Sequence, residues 1–281
     1  MSKKPSITIV GAGNVGVALA LALAKADFRV NEIAYRSDRK SAAPVARRIG
    51  AKAVRSDAAE YSADLVWLCV GDRDIAFTAR DLSKRSDWKG KIVFHCSGAL
   101  TSDELRPLKK LGAKVAAVHP MMTFVKSSKP SFEGVAFALE GDPAALNLAK
   151  RLAKELGGTS FILKKEDKPL YHALGTFSSP LLIAHLAAAE RIGKTLGLKP
   201  ARTRQVIGPI LRRTLENYLA NGPAASFSGP IIRGDADTIA RNLQALRRVP
   251  GTGQIYRALL AIAIEDLPTK NRAKIKSVLG Q

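Results

Sequence analysis

Cysteine is scarce in this sequence, and its placement argues against a disulfide framework and against a metal site. The chain of 281 residues contains two cysteines, Cys69 and Cys96, which are not spaced as Cys-x-x-Cys. Both fall in predicted buried strands, where a free thiol behaves as a small apolar side chain. We therefore expect a protein of the reducing cytoplasm that binds no metal.

Long apolar runs and aromatic residues are also few. No segment is apolar over the roughly 20 residues that a membrane-spanning helix needs, so we expect no membrane insertion. Three glycines and Asn14 interrupt the apolar stretch near the N-terminus, which argues against a secretory signal. Phe, Trp and Tyr together make up 6% of the residues, which is too little for the aromatic stacking platform of many nucleic-acid-binding proteins.

Acidic residues are outnumbered by basic ones. The 24 Asp and Glu residues stand against 45 Lys and Arg residues, so the formal net charge at pH 7 is +21. The basic residues are scattered through predicted helices rather than gathered in a tail, so specific nucleic-acid binding is not expected. A basic surface would also attract phosphorylated cofactors and acidic metabolites.

The best-defined motif is a glycine-rich turn near the N-terminus. An apolar, β-branched run at residues 7–10 leads into Gly-Ala-Gly-Asn-Val-Gly, and an Ala- and Leu-rich stretch follows. A strand, a glycine turn and a helix in this order predict a dinucleotide site, with an ordinary glycine turn as the alternative. The predicted contributors from this turn are Gly11, Gly13, Asn14, Val15 and Gly16. The first glycine permits the tight turn, the second lets the backbone approach a pyrophosphate, and the third lets the helix pack closely.

An arginine stands where an NAD-binding chain places an acidic residue. About 20 residues after the last glycine, at the predicted end of the second strand, the residue is Arg36, with Ser37 and Arg39 close behind it. A guanidinium binds a ribose 2′-phosphate well, and a hydroxyl beside it can donate a further hydrogen bond. We therefore predict NADP as the cofactor. The alternatives are a solvated basic turn and a contact of Asp38 with the ribose.

The order of apolar segments predicts an α/β fold with two domains. Up to about residue 165, short apolar strands alternate with helices, as in a doubly wound parallel sheet. The run Asp-Leu-Val-Trp-Leu-Cys-Val at residues 64–70 is continuously apolar after its first residue, as expected for a strand buried on both faces. The sequence predicts a Rossmann domain at residues 1–165.

The second half of the chain has a helical pattern throughout. No strand pattern occurs after residue 166, and four helices are predicted at residues 170–196, 201–219, 236–246 and 254–266. The first of these is interrupted by Pro180. We predict a smaller all-α domain at residues 166–281 that binds substrate and forms a dimer interface.

Five segments of the chain resemble a known family. VGAGNVG, HCSGAL, VHPMMTF, LYHALGTFSSPLL and SGPIIRGD occur in this order over nearly the whole chain. They resemble the Rossmann-like proteins with a C-terminal domain of the DUF2520 type, relatives of pyrroline-5-carboxylate reductase and the β-hydroxyacid dehydrogenases. The resemblance implies an NADP-type oxidoreductase fold and dimerisation through the helical domain, without naming a substrate. At the position of Pro180 the family pattern has Asn, so no catalytic Asn is carried over; FSSP instead resembles a Ser-Gly-Pro segment of pyrroline-5-carboxylate reductase.

Polar residues are predicted at the carboxyl ends of three strands, where doubly wound sheets bind their ligands. Gly71 and Asp72 follow one strand, and we expect them near the cofactor ribose. Ser97 follows the next strand, near the expected nicotinamide, and is a candidate for cofactor binding and for catalysis. His119 ends the third strand and either faces the cleft or holds its loop. His95 is expected to be a structural histidine.

A polar stripe on the first helix of the second domain is predicted to form the other wall of the site. His172, Thr176 and Ser179 are spaced i, i+4 and i+7, which places them on one face. His172 is our first candidate for the proton donor, and His119 is the second, because a histidine can release a proton near neutral pH. Hydrogen bonding between helices is the alternative for this stripe.

Arg233 is the predicted anchor for a substrate carboxylate. It lies in a glycine-bounded loop, and a guanidinium can bind a carboxylate through two hydrogen bonds. The alternative is that it pairs with Asp235 and caps the next helix.

These patterns predict an NADP(H)-dependent oxidoreductase that transfers a hydride to or from a small, anionic carbonyl or imine compound. A non-catalytic NADP-binding sensor or scaffold is the alternative, because no lysine occupies the helical position of the catalytic lysine of the β-hydroxyacid dehydrogenases; His172 lies roughly there. The helix is apolar on most sides at residues 181–189, so we also predict a homodimer packed through the helical domains.

Overall fold

An eight-stranded sheet organises the first part of the chain in the computed structural model, which describes residues 4–125 and 131–280. The strands in chain order are β1 (Ile7–Val10), β2 (Val30–Tyr35), β3 (Lys52–Arg55), β4 (Leu65–Leu68), β5 (Ile92–His95), β6 (Lys114–Pro120), β7 (Ala136–Gly141) and β8 (Thr159–Ile162). Their spatial order is β3-β2-β1-β4-β5-β6-β7-β8. This order reverses at β1, so the loops after β1 and β4 diverge there and leave a crevice at the carboxyl ends of the strands.

The predicted parallel sheet is present in the first six strands, whereas the last two strands differ. The strands β1 to β6 pair in parallel, but β7 pairs antiparallel to β6 and parallel to β8. The described residues between β6 and β7 contain no crossover helix, so the chain returns in the opposite direction. The strand β3 was not predicted, because it is a half-exposed edge strand that begins with Lys52 and ends with Arg55.

Helices cover both faces of this sheet. They are α1 (Asn14–Lys25), α2 (Arg39–Ile49), α3 (Asp72–Leu82), α4 (Arg106–Lys109), which a 3₁₀ turn at Ser102–Leu105 precedes, and α5 (Pro143–Glu155). Successive strand residues point to opposite faces, so Trp67 packs in the layer beneath α1, α2 and α5, and Leu68 packs in the layer beneath α3. Both tryptophans of the chain, Trp67 and Trp88, are fully buried in these two layers.

Helices make up the rest of the chain. They are α6 (Lys168–Ser178), α7 (Pro180–Thr195), α8 (Pro200–Ser226), α9 (Pro230–Arg233), α10 (Ala236–Leu246), α11 (Thr252–Asp266) and α12 (Arg272–Leu279). The helix predicted at residues 170–196 is divided into α6 and α7, because Pro180 has no N–H to continue the ladder and Ser179 leaves the helical conformation. Ile239, Leu260 and Ile275 form part of the core that joins α10, α11 and α12.

The chain divides into two compact units, Met1–Thr176 and Phe177–Gln281. This division comes later in the chain than the predicted boundary near residue 165, because the first turns of α6 pack with the sheet. Lys168 and Tyr171 are both buried, and their side chains contact residues at the ends of β5 and β6.

Large apolar side chains are exposed on the helices of the second unit. The helix α8 exposes Val206, Ile210, Leu215, Tyr218 and Leu219, and the last of these is 81% exposed. Further exposed apolar residues of this unit are Phe177, Leu181, Ile183, Leu196, Ile255, Leu259 and Ile262. None of the described helices combines the length and the apolar character needed to cross a membrane.

Candidate active site

The glycine turn between β1 and α1 has the close packing that only glycine permits. The backbone of Gly11 has φ of 107°, and a Cβ atom there would lie 2.5 Å from the carbonyl oxygen of Cys69. A Cβ atom on Gly16 would lie 2.0 Å from the carbonyl oxygen of Gly11, so α1 packs directly on the turn. At Gly13, by contrast, no atom lies within 4 Å of the Cβ position. The turn is therefore tight on the protein side and open at its middle glycine.

The N-terminus of α1 offers free backbone donors at this open position. The helix begins after Gly13 without a side-chain cap, and its first turn holds no acidic residue. Asn14 is turned aside, since its side-chain amide donates to the carbonyl oxygen of Phe124 at 2.9 Å. The N–H groups of the first turn, including that of Val15, have no partner within the helix. These features fit the pyrophosphate of a dinucleotide.

A cleft of about 330 Å³ continues from the glycine turn along the ends of β1, β2 and β4. Its lining includes Gly11, Gly13, Arg36, Ser37 and Gly71. These five predicted cofactor residues therefore line one cleft, next to the N-terminus of α3. The other predicted cofactor residues are outside its lining; they are Asn14, Val15, Gly16, Arg39, Asp72 and Ser97.

Arg36 has an acidic partner in this cleft. One of its terminal nitrogens lies 3.3 Å from a carboxylate oxygen of Asp74 in the first turn of α3, and both side chains are largely exposed. Asp38 is engaged elsewhere, because it caps α2 by accepting from the backbone N–H of Ser41 at 3.1 Å. Arg39 begins α2 and is exposed. Arg36 is therefore held by an exposed ion pair, which a phosphate can replace.

Ser97, after β5, is the centre of a hydrogen-bonded turn. Its hydroxyl donates to Asp72 at 2.9 Å and accepts from the backbone N–H of Leu100 at 2.9 Å. Its own N–H donates to Nδ1 of His95 at 3.1 Å. The hydroxyl proton of Ser97 is thus directed at Asp72, and both residues hold the turn in place.

The contacts of His95 fix its tautomer. Because Nδ1 accepts from Ser97, the ring proton is on Nε2, which donates to the carbonyl oxygen of Thr101 at 2.9 Å. The side chain is fully buried, and burial lowers its pKa to about 4. His95 is therefore a neutral structural link between the end of β5 and the turn that follows.

His119, at the end of β6, packs over the same turn. A Cβ atom on Gly98 would lie 2.9 Å from Nε2 of His119, so the imidazole requires glycine at that position. Nδ1 of His119 lies 2.7 Å from the hydroxyl oxygen of Tyr171 on α6. Burial lowers the pKa of His119 to about 4, with further contributions from the positive charges of Lys168 and His172. Burial also raises the pKa of Tyr171 to about 12, so this pair is uncharged at neutral pH.

Lys168 and Tyr171 belong to this cluster, although the sequence patterns did not single them out. The ammonium of Lys168 donates to the carbonyl oxygen of Ser97 at 3.3 Å, and the lysine is buried. Burial lowers its pKa, which Glu140 and Asp72 partly counteract. A signal for these residues exists in the sequence, because Lys168 lies four residues before His172 and so extends the predicted polar stripe by one turn.

The rest of the predicted stripe lies further along α6 and beyond it. His172 is exposed, and its carbonyl oxygen accepts from the hydroxyl of Thr176 at 3.0 Å. A Cβ atom on Gly175 would lie 3.2 Å from the sulfur of Met121, so this face of α6 packs closely on the segment after β6. Ser179 belongs to the second unit and precedes α7.

Arg233 ends the short helix α9 in the second unit and is exposed. Asp235 caps α10 by accepting from the backbone N–H of Thr238 at 3.0 Å. The cap of this helix is thus formed by Asp235. Hydrogen bonds from Thr238 lower the pKa of this carboxyl, and the positive charges of Arg241 and Arg233 lower it further. Within residues 4–125 and 131–280, no cluster of three or more His, Cys, Asp or Glu side chains is suited to a metal ion.

Comparisons with known proteins agree with this architecture. A Rossmann-like domain matches residues 2–120, and the domain of unknown function DUF2520 matches residues 135–262. The chain matches no curated protein sequence.

Solved structures of other proteins share the fold. A Bacteroides fragilis protein with a provisional assignment as an NADP oxidoreductase is 22% identical, with a TM-score of 0.75 over 92% of this chain and 97% of its own. Pyrroline-5-carboxylate reductase from Streptococcus pyogenes is 14% identical, with a TM-score of 0.64 over 99% of both chains. A reductive aminase from Aspergillus terreus, solved with NADPH and ethyl-5-oxohexanoate, is 14% identical, with a TM-score of 0.64 over 98% of this chain and 99% of its own.

The strand order, the glycine turn and the two domain matches lead to the same assignment. The chain thus has an N-terminal region that matches the Rossmann-like domain and a C-terminal region that matches the DUF2520 domain.

Proposed function

We propose that this protein is an NADP(H)-dependent oxidoreductase that transfers a hydride to or from a small, anionic carbonyl or imine compound. The observation that carries the proposal is the open glycine turn at the uncapped N-terminus of α1, which continues into a cleft bordered by Arg36. This arrangement fits a pyrophosphate at one end and a ribose phosphate at the other.

The proposed cofactor site combines the glycine turn with the ends of the neighbouring strands. Its residues are Gly11, Gly13, Asn14, Val15, Gly16, Arg36, Ser37, Arg39, Gly71, Asp72 and Ser97. Arg36 would exchange its contact with Asp74 for the 2′-phosphate of NADP, because a phosphate carries more charge and matches the guanidinium geometry. Ser97 contributes through the position of its turn, because its hydroxyl already donates a hydrogen bond to Asp72.

The proposed chemistry needs a proton as well as a hydride. When bound, the reduced nicotinamide supplies the hydride. We assign the proton to His172, which is exposed on α6 and lies near enough to His119 to influence its charge. His119 is kept neutral by burial, so it orients groups through hydrogen bonds rather than releasing a proton at neutral pH.

Charge supports a small anionic substrate. The net charge of +21 favours the approach of acidic metabolites. We propose Arg233 as the anchor for a carboxylate, and Thr176 and Ser179 as hydrogen-bonding residues of the substrate wall. The similarity to a pyrroline-5-carboxylate reductase and to a reductive aminase bound to NADPH supports a carbonyl or imine as the reacting group.

We also propose that the protein is a homodimer formed through the helices of the second unit. Exposed apolar residues recur along α8, at Val206, Ile210 and Leu219 among others. A soluble monomer seldom exposes contiguous apolar patches of this kind, and burying them against a second copy would be favourable. A cytoplasmic location is the remaining part of the proposal, and the two free cysteines support it.

The test is NADPH consumption with a panel of small substrates. Purified protein is incubated with NADPH and with 2-keto acids, cyclic imines, or ketone and amine pairs, and NADPH oxidation is followed by its absorbance. Steady oxidation with one substrate class, lost in His172→Gln, supports the proposal. NADPH binding without oxidation of any member would favour the sensor or scaffold, and absence of NADPH binding would overturn the cofactor assignment.

A further inference from the structure

Lys168 places a positive charge in a buried position. It is 1% exposed, and among residues 4–125 and 131–280 no salt bridge within 4.0 Å includes its ammonium. Removing an ammonium from water is costly unless it is paired or fully hydrogen-bonded. A buried charge at the carboxyl ends of the strands also affects the protonation of its neighbours, which makes its surroundings informative.

Within the described part of the chain, the ammonium of Lys168 has one hydrogen bond, which goes to the turn after β5. Its Nζ donates to the carbonyl oxygen of Ser97 at 3.3 Å. The other polar groups of Ser97 are held by His95 of β5 and Asp72 of α3. Lys168 thus supplies the only link to this serine from α6 within the described residues, and it completes a turn held from three elements.

The ammonium of Lys168 and the imidazole of His119 contact the same turn, the first at Ser97 and the second at Gly98. The titratable and charged groups around this imidazole are Tyr171, His172 and Lys168 from α6, Asp72 from α3 and His95 from β5. Protonating His119 would place a second positive charge beside the buried ammonium in a region of low dielectric, where like charges repel strongly. Asp72 opposes this effect, but its carboxylate is already hydrogen-bonded to Ser97.

We propose that Lys168 is a positioning residue whose buried ammonium holds the Ser97–Gly98 turn from the side of α6 and adds to the effect of burial in disfavouring a positive charge on His119. The catalytic consequence rests on the proposed function: His172 is left as the proton donor, while His119 keeps its hydrogen bond to Tyr171. Two neighbouring histidines are thereby given separate roles by their surroundings. The charge state of His119 itself is a property of the protein without cofactor or substrate.

Titration of the histidine side chains by NMR tests this inference directly. His119 is identified by the signal lost in His119→Gln. In the wild-type protein it is expected to stay neutral at pH 6 and to titrate near 4. Lys168→Met nearly keeps the length of the side chain and removes its charge. In this variant the pKa of His119 is expected to rise toward its ordinary value of 6.5, while burial continues to hold it lower. The amide of Gly98 is expected to exchange with solvent faster in this variant.

Two matched variants separate charge from structure. Lys168→Arg keeps the positive charge, so His119 in this variant is expected to titrate as it does in the wild type. Lys164→Met removes an exposed lysine four residues before Lys168. It is expected to change neither the titration of His119 nor the amide exchange of Gly98. If the protein oxidises NADPH, the acid limb of its pH–rate profile should also move upward in Lys168→Met but not in the controls.

Three outcomes would overturn the inference. One is a wild-type His119 that titrates near 6.5, which decides the matter even if Lys168→Met does not fold. Another is a folded Lys168→Met in which His119 titrates as in the wild type. The third is a Lys168→Arg protein that behaves like Lys168→Met. None of these measurements uses cofactor or substrate, so failure of the oxidoreductase proposal would leave them unaffected.

Discussion

Two anions compete for the guanidinium of Arg36, namely the carboxylate of Asp74 and the proposed 2′-phosphate of NADP. It contacts Asp74 in the protein alone, and we propose that it contacts the 2′-phosphate when NADP binds. The ion pair with Asp74 is exposed, and such pairs contribute at most about 1 kcal/mol. A charge-assisted contact with phosphate is stronger, so the exchange favours the cofactor.

Substitutions at Arg36 and Asp74 should therefore move cofactor preference in opposite directions. Arg36→Asp should weaken NADPH relative to NADH by about tenfold to a hundredfold, because it removes a contact of roughly 1.5–3 kcal/mol. Asp74→Asn should strengthen NADPH by up to about fivefold, because it frees Arg36 from a competing carboxylate.

Titration calorimetry with both cofactors measures these affinities. Glu155→Gln is the control, since it removes a carboxylate that pairs with Lys4 and does not line the cleft. Equal affinity of the wild type for NADPH and NADH would show that Arg36 does not read the phosphate.

The roles of His172 and His119 in the proposed site can be distinguished by substituting each histidine in turn. His172→Gln should lower turnover by about 10²–10⁴-fold with little change in NADPH affinity, since general acid catalysis contributes about that factor. His119→Gln should have a smaller effect, because a histidine with a pKa near 4 holds almost no proton to give at neutral pH.

Single-turnover kinetics with NADPH and the identified substrate measure both effects. Loss of turnover in His119→Gln together with full activity in His172→Gln would exchange the two roles. Full activity in both variants would mean that neither histidine is the acid.

At the scale of elements, the end of β5 is held by a histidine that must stay neutral. The pKa of His95 is lowered from 6.5 to about 4 by burial, so below pH 6.5 the unfolded chain takes up a proton that the folded protein excludes. Stability from this group is complete above pH 6.5 and is lost as the pH falls from 6.5 toward 4. Between pH 7 and pH 5 the loss should be about 2 kcal/mol.

Urea unfolding of the wild type and of His95→Gln at these two pH values measures this loss. Gln keeps one donor and one acceptor but does not titrate, so the variant should be less stable at pH 7 and depend less on pH. Subtracting the two slopes removes the contribution of the carboxylates. Identical slopes in the two proteins would contradict the assignment.

Elements with strong local patterns were predictable from the sequence. The helix α10 has the predicted bounds, because its apolar residues recur at helical spacing and Asp235 marks its start. The strand β3 and the helix α12 were missed, since both are short and partly exposed and carry no apolar run. The direction of β7 also escaped prediction, because strand orientation depends on the path of the connection rather than on residue pattern.

The site was predictable to the extent that it is local in sequence. The glycine turn and Arg36 lie within one βαβ unit, so spacing alone located them. The contact between Lys168 and Ser97 joins residues 71 positions apart. A lysine at the start of a helix is normally exposed, and only the folded chain reveals that this one is buried.

At the scale of the whole molecule, the exposed apolar side chains of the second unit favour association with a second copy of the chain. We expect light scattering at micromolar concentration to give the mass of two chains of 30.1 kDa each. Ile210→Glu on α8 should shift the protein from dimer toward monomer, because burying an unpaired carboxylate in the interface is costly. Leu111→Glu is the control, since Leu111 is an exposed apolar residue of the first unit.

A wild-type protein with the mass of one chain would contradict the proposed dimer. Unchanged dimerisation in Ile210→Glu would move the interface away from α8.

Both tryptophans of the chain are buried in the sheet of the first unit, and neither lies in the second. Tryptophan fluorescence, excited selectively over tyrosine, therefore reports the unfolding of the first unit alone, whereas far-ultraviolet circular dichroism reports the helices of both units. Coincident midpoints would mean that the two units unfold as one cooperative system, and separate midpoints would mean that each has its own stability. The two tryptophans thus provide an intrinsic fluorescent probe that is specific to the first unit.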